Sequence, residues 1–88
     1  MQVVQSGQFK KSYKKLNPNQ LPEINDAIKA IIADLTIGEK KHGDLSWLRV
    51  HKFKMLGQLT LIGYHIDDTT LTFIAFGPHE NFYRDMKK

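Results

Sequence analysis

The segment QLTLIGYHIDDTTLTFIAF, residues 58–76, decides the fold of this chain. It contains two runs rich in Leu, Ile, Thr and Phe, Gln58–Ile66 and residues 69–76, which are typical of β-strands. Two aspartates between the runs favour a tight turn. A third strand-like run, residues 47–54, precedes this pair and is joined to it by a short turn. Consecutive hairpins of this kind predict an antiparallel meander of three strands.

Upstream of the meander, the sequence changes to helical periodicity. Gln2–Gln5 is a short β-prone run, and a basic segment behind it predicts a short helix along the stripe Phe9, Tyr13 and Leu16. Apolar residues at helical spacing then predict a second helix over residues 21–35, with Gly38 as its stop. After the last strand, we expect residues 79–88 to form a short helix.

The order of these elements predicts an α+β fold, β-α-α-β-β-β with a short C-terminal helix. Two N-terminal helices would pack on one face of a small antiparallel sheet, which leaves the other face open for function. A chain of 88 residues supports one small core, so we expect a single domain spanning residues 1–88. That length excludes doubly wound sheets and barrel enzymes.

The composition is that of a small basic protein. Thirteen Lys and Arg residues against nine Asp and Glu give a net charge of +4 and an isoelectric point of about 9.4. The absence of Cys excludes disulfides, thiol nucleophiles and thiolate zinc sites. No segment approaches the ~20 apolar residues of a membrane span, and the first residues lack the apolar core of a signal peptide. We therefore expect a cytoplasmic bacterial protein with no membrane partner.

Basic and imidazole side chains are concentrated between residues 39 and 54, at Lys40, Lys41, Arg49, Lys52, Lys54, His42 and His51. Such a cluster attracts phosphate groups, although a solvated lysine face is an equally weighted alternative. In a strand, Lys52 and Lys54 project to one side, whereas Arg49, His51 and Phe53 project to the other. Two neighbouring cations on one face are suited to binding a phosphate.

The segment GPHENFY, residues 77–83, places two reactive side chains directly after the last strand. His79 and Tyr83 are four residues apart and share a face if the segment is helical. An imidazole exchanges a proton near neutral pH, and a phenol donates one or stacks on a base. A capping or exposed histidine is the commoner alternative. We interpret His65 as a structural residue and Trp47 as part of the core.

Motifs for metals and nucleotides are missing from the sequence. It contains no metal-ligand spacing, no Gly-rich phosphate loop and no Ser, His and Asp set. An enzyme of this composition would work without a cofactor or metal, through Lys, Arg, His and Tyr. Cleavage of the RNA backbone suits these groups, because the 2′-hydroxyl of the substrate is itself the nucleophile.

Three segments of this chain, LRVHKFK at 48–54, LIGYHIDD at 61–68 and GPHENFY at 77–83, resemble the RelE/ParE superfamily of toxins from type II toxin-antitoxin modules. The Gly-x-His ending followed by an aromatic residue is similar to the YafQ-like branch of ribosome-dependent mRNA interferases. The resemblance implies a toxin that cuts mRNA in the ribosomal A site and is neutralised by a small acidic antitoxin. It also implies that operator DNA is bound only through the complex with the antitoxin.

Carried over residue by residue, the resemblance places the Lys-x-Lys pair of RelE-type toxins on Lys52 and Lys54. It places the catalytic histidine of the YafQ-like ending on His79 and the terminal aromatic residue on Tyr83. In this interpretation His79 acts as acid or base, the two lysines bind the phosphate, and Tyr83 orients a base or a proton.

Other residues of the family pattern are matched less directly. A second histidine of the YafQ-like branch falls on His51 or His42, and strand alternation places His51 on the opposite face from Lys52. Where RelE-type toxins have an Arg in the middle strand, this sequence has Thr60. The surrounding RNA-binding residues would be Arg49, His51, Lys40, Lys41 and Arg84.

A second function class stays open, because one fold serves several functions. The alternative is a non-enzymatic inhibitor of DNA gyrase, as in the ParE branch, and a basic binding module is a third possibility. A gyrase inhibitor has no evident need for His79, Tyr83 and the lysine pair. In each case we expect an acidic, partly disordered antitoxin that covers the basic strand or displaces the terminal segment.

Overall fold

A five-stranded sheet lies at the centre of the computed structural model, which describes residues 1–86. Its strands are β1 (Gln2–Gln5), β2 (Glu39–Lys40), β3 (Arg49–Met55), β4 (Gln58–Ile66) and β5 (Thr70–Pro78). They lie in the order β1-β5-β4-β3-β2, and β3, β4 and β5 pair antiparallel. The predicted meander is therefore confirmed.

The two edges of the sheet differ from the prediction in detail. Strand β1 runs parallel to β5, with Val3 opposite Leu71, so the sheet is mixed at this edge instead of antiparallel throughout. Parallel pairing needs a long connection, and most of the chain lies between these two strands. The other edge is β2, a two-residue strand that the sequence did not predict and that pairs antiparallel with β3.

Two predicted helices follow β1 in the described chain, α1 (Gly7–Lys14) and α2 (Leu21–Ala33). The Ser6 hydroxyl oxygen caps α1 by accepting a hydrogen bond from Phe9 N at 3.0 Å. Helix α2 ends before the predicted residue 35, because Asp34 adopts an extended backbone. Its carboxylate accepts hydrogen bonds from the backbone and hydroxyl groups two residues on, which stabilises the turn that follows the helix.

Both helices pack on one face of the sheet, as predicted. The main core lies between them and the sheet and contains Phe9, Ile31, Ile62, Tyr64, Leu71 and Phe73. The Tyr64 hydroxyl donates to Leu35 O and accepts from Gly38 N, both at 2.9 Å. A Cβ atom at Gly38 would lie 2.6 Å from that hydroxyl oxygen. Gly38 is thus required by the close approach of Tyr64, and not as the stop of α2.

A third helix, α3 (His79–Met86), packs on the opposite face of the sheet. Its Phe82 is 3% exposed and belongs to a second core cluster with Leu48, Val50, Leu61 and Ala75. Gly63 makes room for it, because a Cβ atom there would lie 2.7 Å from the Phe82 ring. The expectation that this face is open is therefore wrong at its centre. No helix within residues 1–86 is long and apolar enough to cross a membrane.

Candidate functional site

The exposed lysines of β3 lie on the same face of the sheet as α3. Lys52 and Lys54 are exposed, and they alternate with half-buried residues that point to the α1–α2 face. In the sheet register, Lys52 lies opposite Leu61 and Lys54 opposite Leu59. Because directly opposed residues share a face, both lysines lie beside the apolar cluster that α3 covers. They form a positive edge next to that helix.

His79 and Tyr83 lie at the start of α3, one helical turn apart. Their ring centroids are 6.4 Å apart and the rings are nearly perpendicular. His79 is exposed, whereas Tyr83 is half-buried. Pro78, immediately before α3, lies opposite Thr60 on β4, which lies opposite Phe53 on β3. With a strand spacing of about 4.8 Å, α3 therefore begins about 10 Å from the backbone of β3.

Lys41, just beyond β2, connects this edge to α3. Its Nζ atom lies 5.3 Å from the centroid of the Tyr83 ring, within the range of a cation–π interaction. The same atom donates to Glu39 Oε1 at 2.6 Å. Glu39 and, to a smaller extent, the Tyr83 phenol raise the pKa of Lys41, so its ammonium group is charged at neutral pH. The Tyr83 hydroxyl itself is buried, and no described atom makes a well-formed hydrogen bond to it.

Glu39 is a residue of this site that the sequence did not single out. The hydrogen bond from Lys41 lowers the pKa of Glu39, and the charges of Lys52 and His42 lower it further. Glu39 therefore lies within the field of the β3 lysines. The spacing Glu39-x-Lys41 is the signal that could have identified it, because alternate residues of a strand share a face.

Arg49, His51 and Lys40 lie away from this face. The Arg49 Nη1 atom donates to Gly38 O at 2.9 Å, and Lys40 lies directly opposite Arg49 in the sheet register. His51 stacks on Phe53 with ring centroids 6.2 Å apart, and burial lowers its pKa from the ordinary 6.5. The positive charges of residues 39–54 are therefore divided between two faces, as the alternation along β3 predicts for Arg49, His51, Lys52 and Lys54. His42 and His51 are the two candidates for the second histidine of the YafQ-like branch. Of these two, only His42 contributes to lowering the pKa of Glu39.

Thr60 does not occupy the place of an arginine beside the lysine pair. It is 2% exposed, it points to the α1–α2 face opposite Phe53, and its hydroxyl donates to Gln58 O at 3.1 Å. The β4 residues that flank the lysines are apolar. On α3, the guanidinium of Arg84 donates to Asn81 Oδ1 one turn earlier, so it is held on the surface of its own helix.

Trp47 is 42% exposed, so the expectation that it belongs to the core is wrong. It follows a short 3₁₀ turn, Gly43–Leu45, and precedes the buried Leu48, so the apolar residue that enters the core is its neighbour. The carbonyl oxygen of Trp47 lies 2.7 Å from Nδ1 of His65. His65 therefore has the backbone hydrogen bond that a structural histidine requires.

The described residues contain no group of three or more His, Asp or Glu side chains that could hold a metal ion. On the face of the sheet that α3 covers lie an exposed imidazole, a buried phenol hydroxyl, a cation paired with a carboxylate, and two exposed lysines. Chemically, this set can exchange a proton and neutralise a phosphate.

Comparison with known proteins gives a family match and a structural match. A family model described as ParE-like toxin of type II bacterial toxin-antitoxin system matches residues 3–87. The crystal structure of the isolated E. coli RelE toxin superposes with a TM-score of 0.68 over 98% of this chain and 95% of that chain, at 14% sequence identity. The two chains therefore share a fold. No curated protein sequence matches the chain.

Proposed function

The chain belongs to the ParE-like toxins of type II bacterial toxin-antitoxin systems, and we propose that it inhibits translation by cleaving mRNA on the ribosome. A toxin of this class has an antitoxin partner. Its fold is shared with the E. coli RelE toxin. The observation that carries the proposal is the grouping of His79, Tyr83 and Lys41 at one end of α3, beside the exposed lysines of β3. This places proton-transfer groups next to positive charge.

In the proposed reaction, the 2′-oxygen of the RNA forms a bond to the adjacent phosphorus while the bond from phosphorus to the 5′-oxygen breaks. The 2′-hydroxyl proton passes to a base, and the leaving 5′-oxygen takes up a proton. His79 is exposed at the start of α3 and is the imidazole that would transfer one of these protons. Lys52 and Lys54 stabilise the additional negative charge on the phosphate. The products are a 2′,3′-cyclic phosphate and a 5′-hydroxyl end.

Tyr83 and Lys41 have a positioning role in this scheme. The cation–π contact fixes the phenol ring against Lys41, and Glu39 keeps Lys41 both charged and in place. A buried hydroxyl without a well-formed hydrogen bond is costly, at about 1–3 kcal/mol. The Tyr83 hydroxyl is such a group, and a substrate oxygen or a water at this point would satisfy it.

The proposal places the toxin where ribosomes translate, in the bacterial cytoplasm, with mRNA at the ribosomal A site as its substrate. The acidic antitoxin would neutralise the basic edge formed by Lys41, Lys52 and Lys54. Its charge is complementary to these exposed side chains. Operator DNA would be bound only by the complex of toxin and antitoxin.

Inhibition of DNA gyrase without catalysis is the second candidate function. The observation that favours it lies on β4, which places Leu61 and Leu59 opposite Lys52 and Lys54 and adds no cation to the pair. A phosphate bound at this edge would therefore contact fewer positive groups than a phosphate in a site that also contained an arginine.

Translating ribosomes programmed with one defined mRNA test the proposal, with a parallel reaction that contains the mRNA alone. We expect the wild-type toxin to cut the mRNA on the ribosome, and His79→Ala to slow cleavage by about 10²- to 10⁴-fold, the range of general acid–base catalysis. Lys29→Ala is the matched control, because Lys29 is exposed on α2 and should leave the rate unchanged.

Equal integrity of the mRNA with wild type and with His79→Ala would contradict cleavage. A supercoiling assay with purified gyrase then tests the second candidate. Inhibition of gyrase by the same wild-type preparation, undiminished in His79→Ala, would establish the ParE-type activity in its place.

A further inference from the structure

We propose that a cleft at the beginning of β3 binds one nucleotide of single-stranded RNA, with its base against Trp47 and its phosphate at Lys40 and Arg49. The cleft has a volume of about 420 Å³. It is lined by Lys40, Ser46, Trp47, Arg49, His65 and Ile66. None of the residues that form the site at α3 lines it. That the nucleotide belongs to an RNA rests on the proposed function. The binding of a nucleotide in this cleft does not depend on that function.

Two cations at the cleft are placed side by side by the sheet. Lys40 lies directly opposite Arg49 in the pairing of β2 with β3, so both side chains leave the same face. One guanidinium N–H of Arg49 is used by Gly38 O at 2.9 Å, which fixes the orientation of the group. An arginine has five N–H donors, so donors are left over for a phosphate.

No described carboxylate oxygen lies within 4.0 Å of the charged groups of these two residues. In the described part of the chain, the ion pair within 4.0 Å is that of Lys41 with Glu39, on the other face. Asp34 is the carboxylate that feels the charge of Arg49, but its oxygen accepts hydrogen bonds from Thr36. Lys40 and Arg49 are therefore available to an anion from solution.

The aromatic side of the cleft is preorganised as well. Trp47 is 42% exposed, although tryptophan has the largest apolar side chain of all the residue types in the protein. Its backbone oxygen accepts the Nδ1–H of His65 at 2.7 Å, and the two rings meet edge to face with centroids 6.1 Å apart. This hydrogen bond assigns the proton to Nδ1 in the neutral ring, so Nε2 is left as an acceptor for a base or a ribose hydroxyl.

An aromatic ring next to two cations is the combination by which proteins bind single-stranded nucleic acids. Stacking of a base on an aromatic side chain contributes about 1–3 kcal/mol, and the cations hold the backbone. An acidic peptide would use Lys40 and Arg49 but would leave the exposed Trp47 without a role. A cleft of this volume lies in the range of small-ligand sites, ~300–1,000 Å³. The observations therefore favour a nucleotide.

The tryptophan itself reports binding, because Trp47 is the only tryptophan of the chain. The test follows its fluorescence in the full-length toxin during titration with AMP, UMP, ribose 5-phosphate, inorganic phosphate and a glutamate-rich peptide. We expect saturable quenching by the two nucleotides. Ribose 5-phosphate and phosphate should compete with the nucleotides but cause little quenching, because they cannot stack.

Two substitutions in the cleft and one control complete the test. Lys40→Gln and Arg49→Gln should each weaken nucleotide binding about tenfold, as expected for the loss of one charge-assisted contact. Lys29→Gln, on exposed α2, removes the same charge elsewhere and should leave binding unchanged. Lys40 is exposed and its side chain makes no hydrogen bond to the described residues, so its variant tests the cleft even if Arg49→Gln fails to fold.

Quenching by the glutamate-rich peptide without quenching by nucleotides would overturn the proposal in favour of a protein ligand. Equal loss of binding in Lys29→Gln would also overturn it, because binding would then follow net charge. Failure of mRNA cleavage together with intact nucleotide quenching would refute the proposed function alone. Cleavage without any quenching would refute the nucleotide cleft alone.

Discussion

Replacement of Phe82 by alanine should undock α3 and leave the sheet folded. The Phe82 ring is 3% exposed and fills the space above Gly63, between Leu48 and Ala75. Truncation of a phenylalanine buried to this extent costs about 3–5 kcal/mol. Tyr83 also packs against this cluster, and its cation–π interaction with Lys41 contributes about 0.5–1 kcal/mol at a partly exposed site.

An eight-residue helix does not stay folded by itself in water. Loss of the Phe82 contacts should therefore release α3 and unwind it. At 1.36 kcal/mol per tenfold, a loss of 3 kcal/mol raises the population of the undocked state by about two orders of magnitude. The main core lies on the other face, around Phe9 and Tyr64, and is left intact.

Amide hydrogen exchange measured by NMR distinguishes local from global opening. In Phe82→Ala, the amides of α3 should exchange about 10²-fold faster than in the wild type, while those of β4 keep their protection. Phe82→Leu is the matched control, since leucine retains most of the buried apolar volume. Because His79 and Tyr83 lie on α3, Phe82→Ala should also lose mRNA cleavage, whereas Phe82→Leu retains it in part.

Unchanged exchange of the α3 amides in Phe82→Ala would refute the reasoning, since α3 would then be held by something other than Phe82. Equal acceleration of exchange in β4 would refute it in a different way. The second core cluster would then be necessary for the sheet as a whole.

Three further expectations concern single groups. Tyr64→Phe should destabilise the protein by about 1–3 kcal/mol in urea denaturation, because Leu35 O and Gly38 N lose their buried partner; an unchanged midpoint would contradict this. Ser6→Ala should cost about 1 kcal/mol through loss of the α1 cap, and no change in the unfolding free energy would mean that the cap is dispensable. Burial lowers the pKa of His51 in the folded state, so the unfolded chain binds its proton more readily. Stability should therefore fall as the pH drops below about 6.5, and His51→Gln should reduce this dependence, as measured by urea denaturation at several pH values.

The fold could be predicted to a large extent because its signals are local. The strand-like composition of residues 58–76 and the apolar stripe of α2 are properties of short segments, and the structure has these elements. The parallel position of β1 could not be predicted in this way. It depends on contact between residues at opposite ends of the chain, for which no local pattern exists. The two-residue β2 is too short to carry a pattern at all.

The candidate site illustrates the same limit. Alternation along β3 correctly separates Lys52 and Lys54 from His51, because strand geometry fixes which residues share a face. The contact of Lys41 with Tyr83 could not be foreseen, since it requires α3 to fold back over the sheet. The same packing of Phe82 covers the face that the sequence analysis expected to be open. The exposure of Trp47 depends on the path of the loop before β3, which composition does not determine.

The pairing of β1 with β5 also sets the order in which the chain can fold during its own synthesis. β1 is made first, yet its partner is the last strand to be made, and the Ser6 hydroxyl bonds to Ile74 O across 68 residues of sequence. Closing a loop of that length costs about 4 kcal/mol of chain entropy. This cost is smaller once the meander and the helices have formed, because they shorten the flexible loop between β1 and β5. Until β5 emerges, Val3 and Val4 have no strand to pair with. In the newly made chain, the residues of β1 therefore stay without their strand partner until β5 has been synthesised.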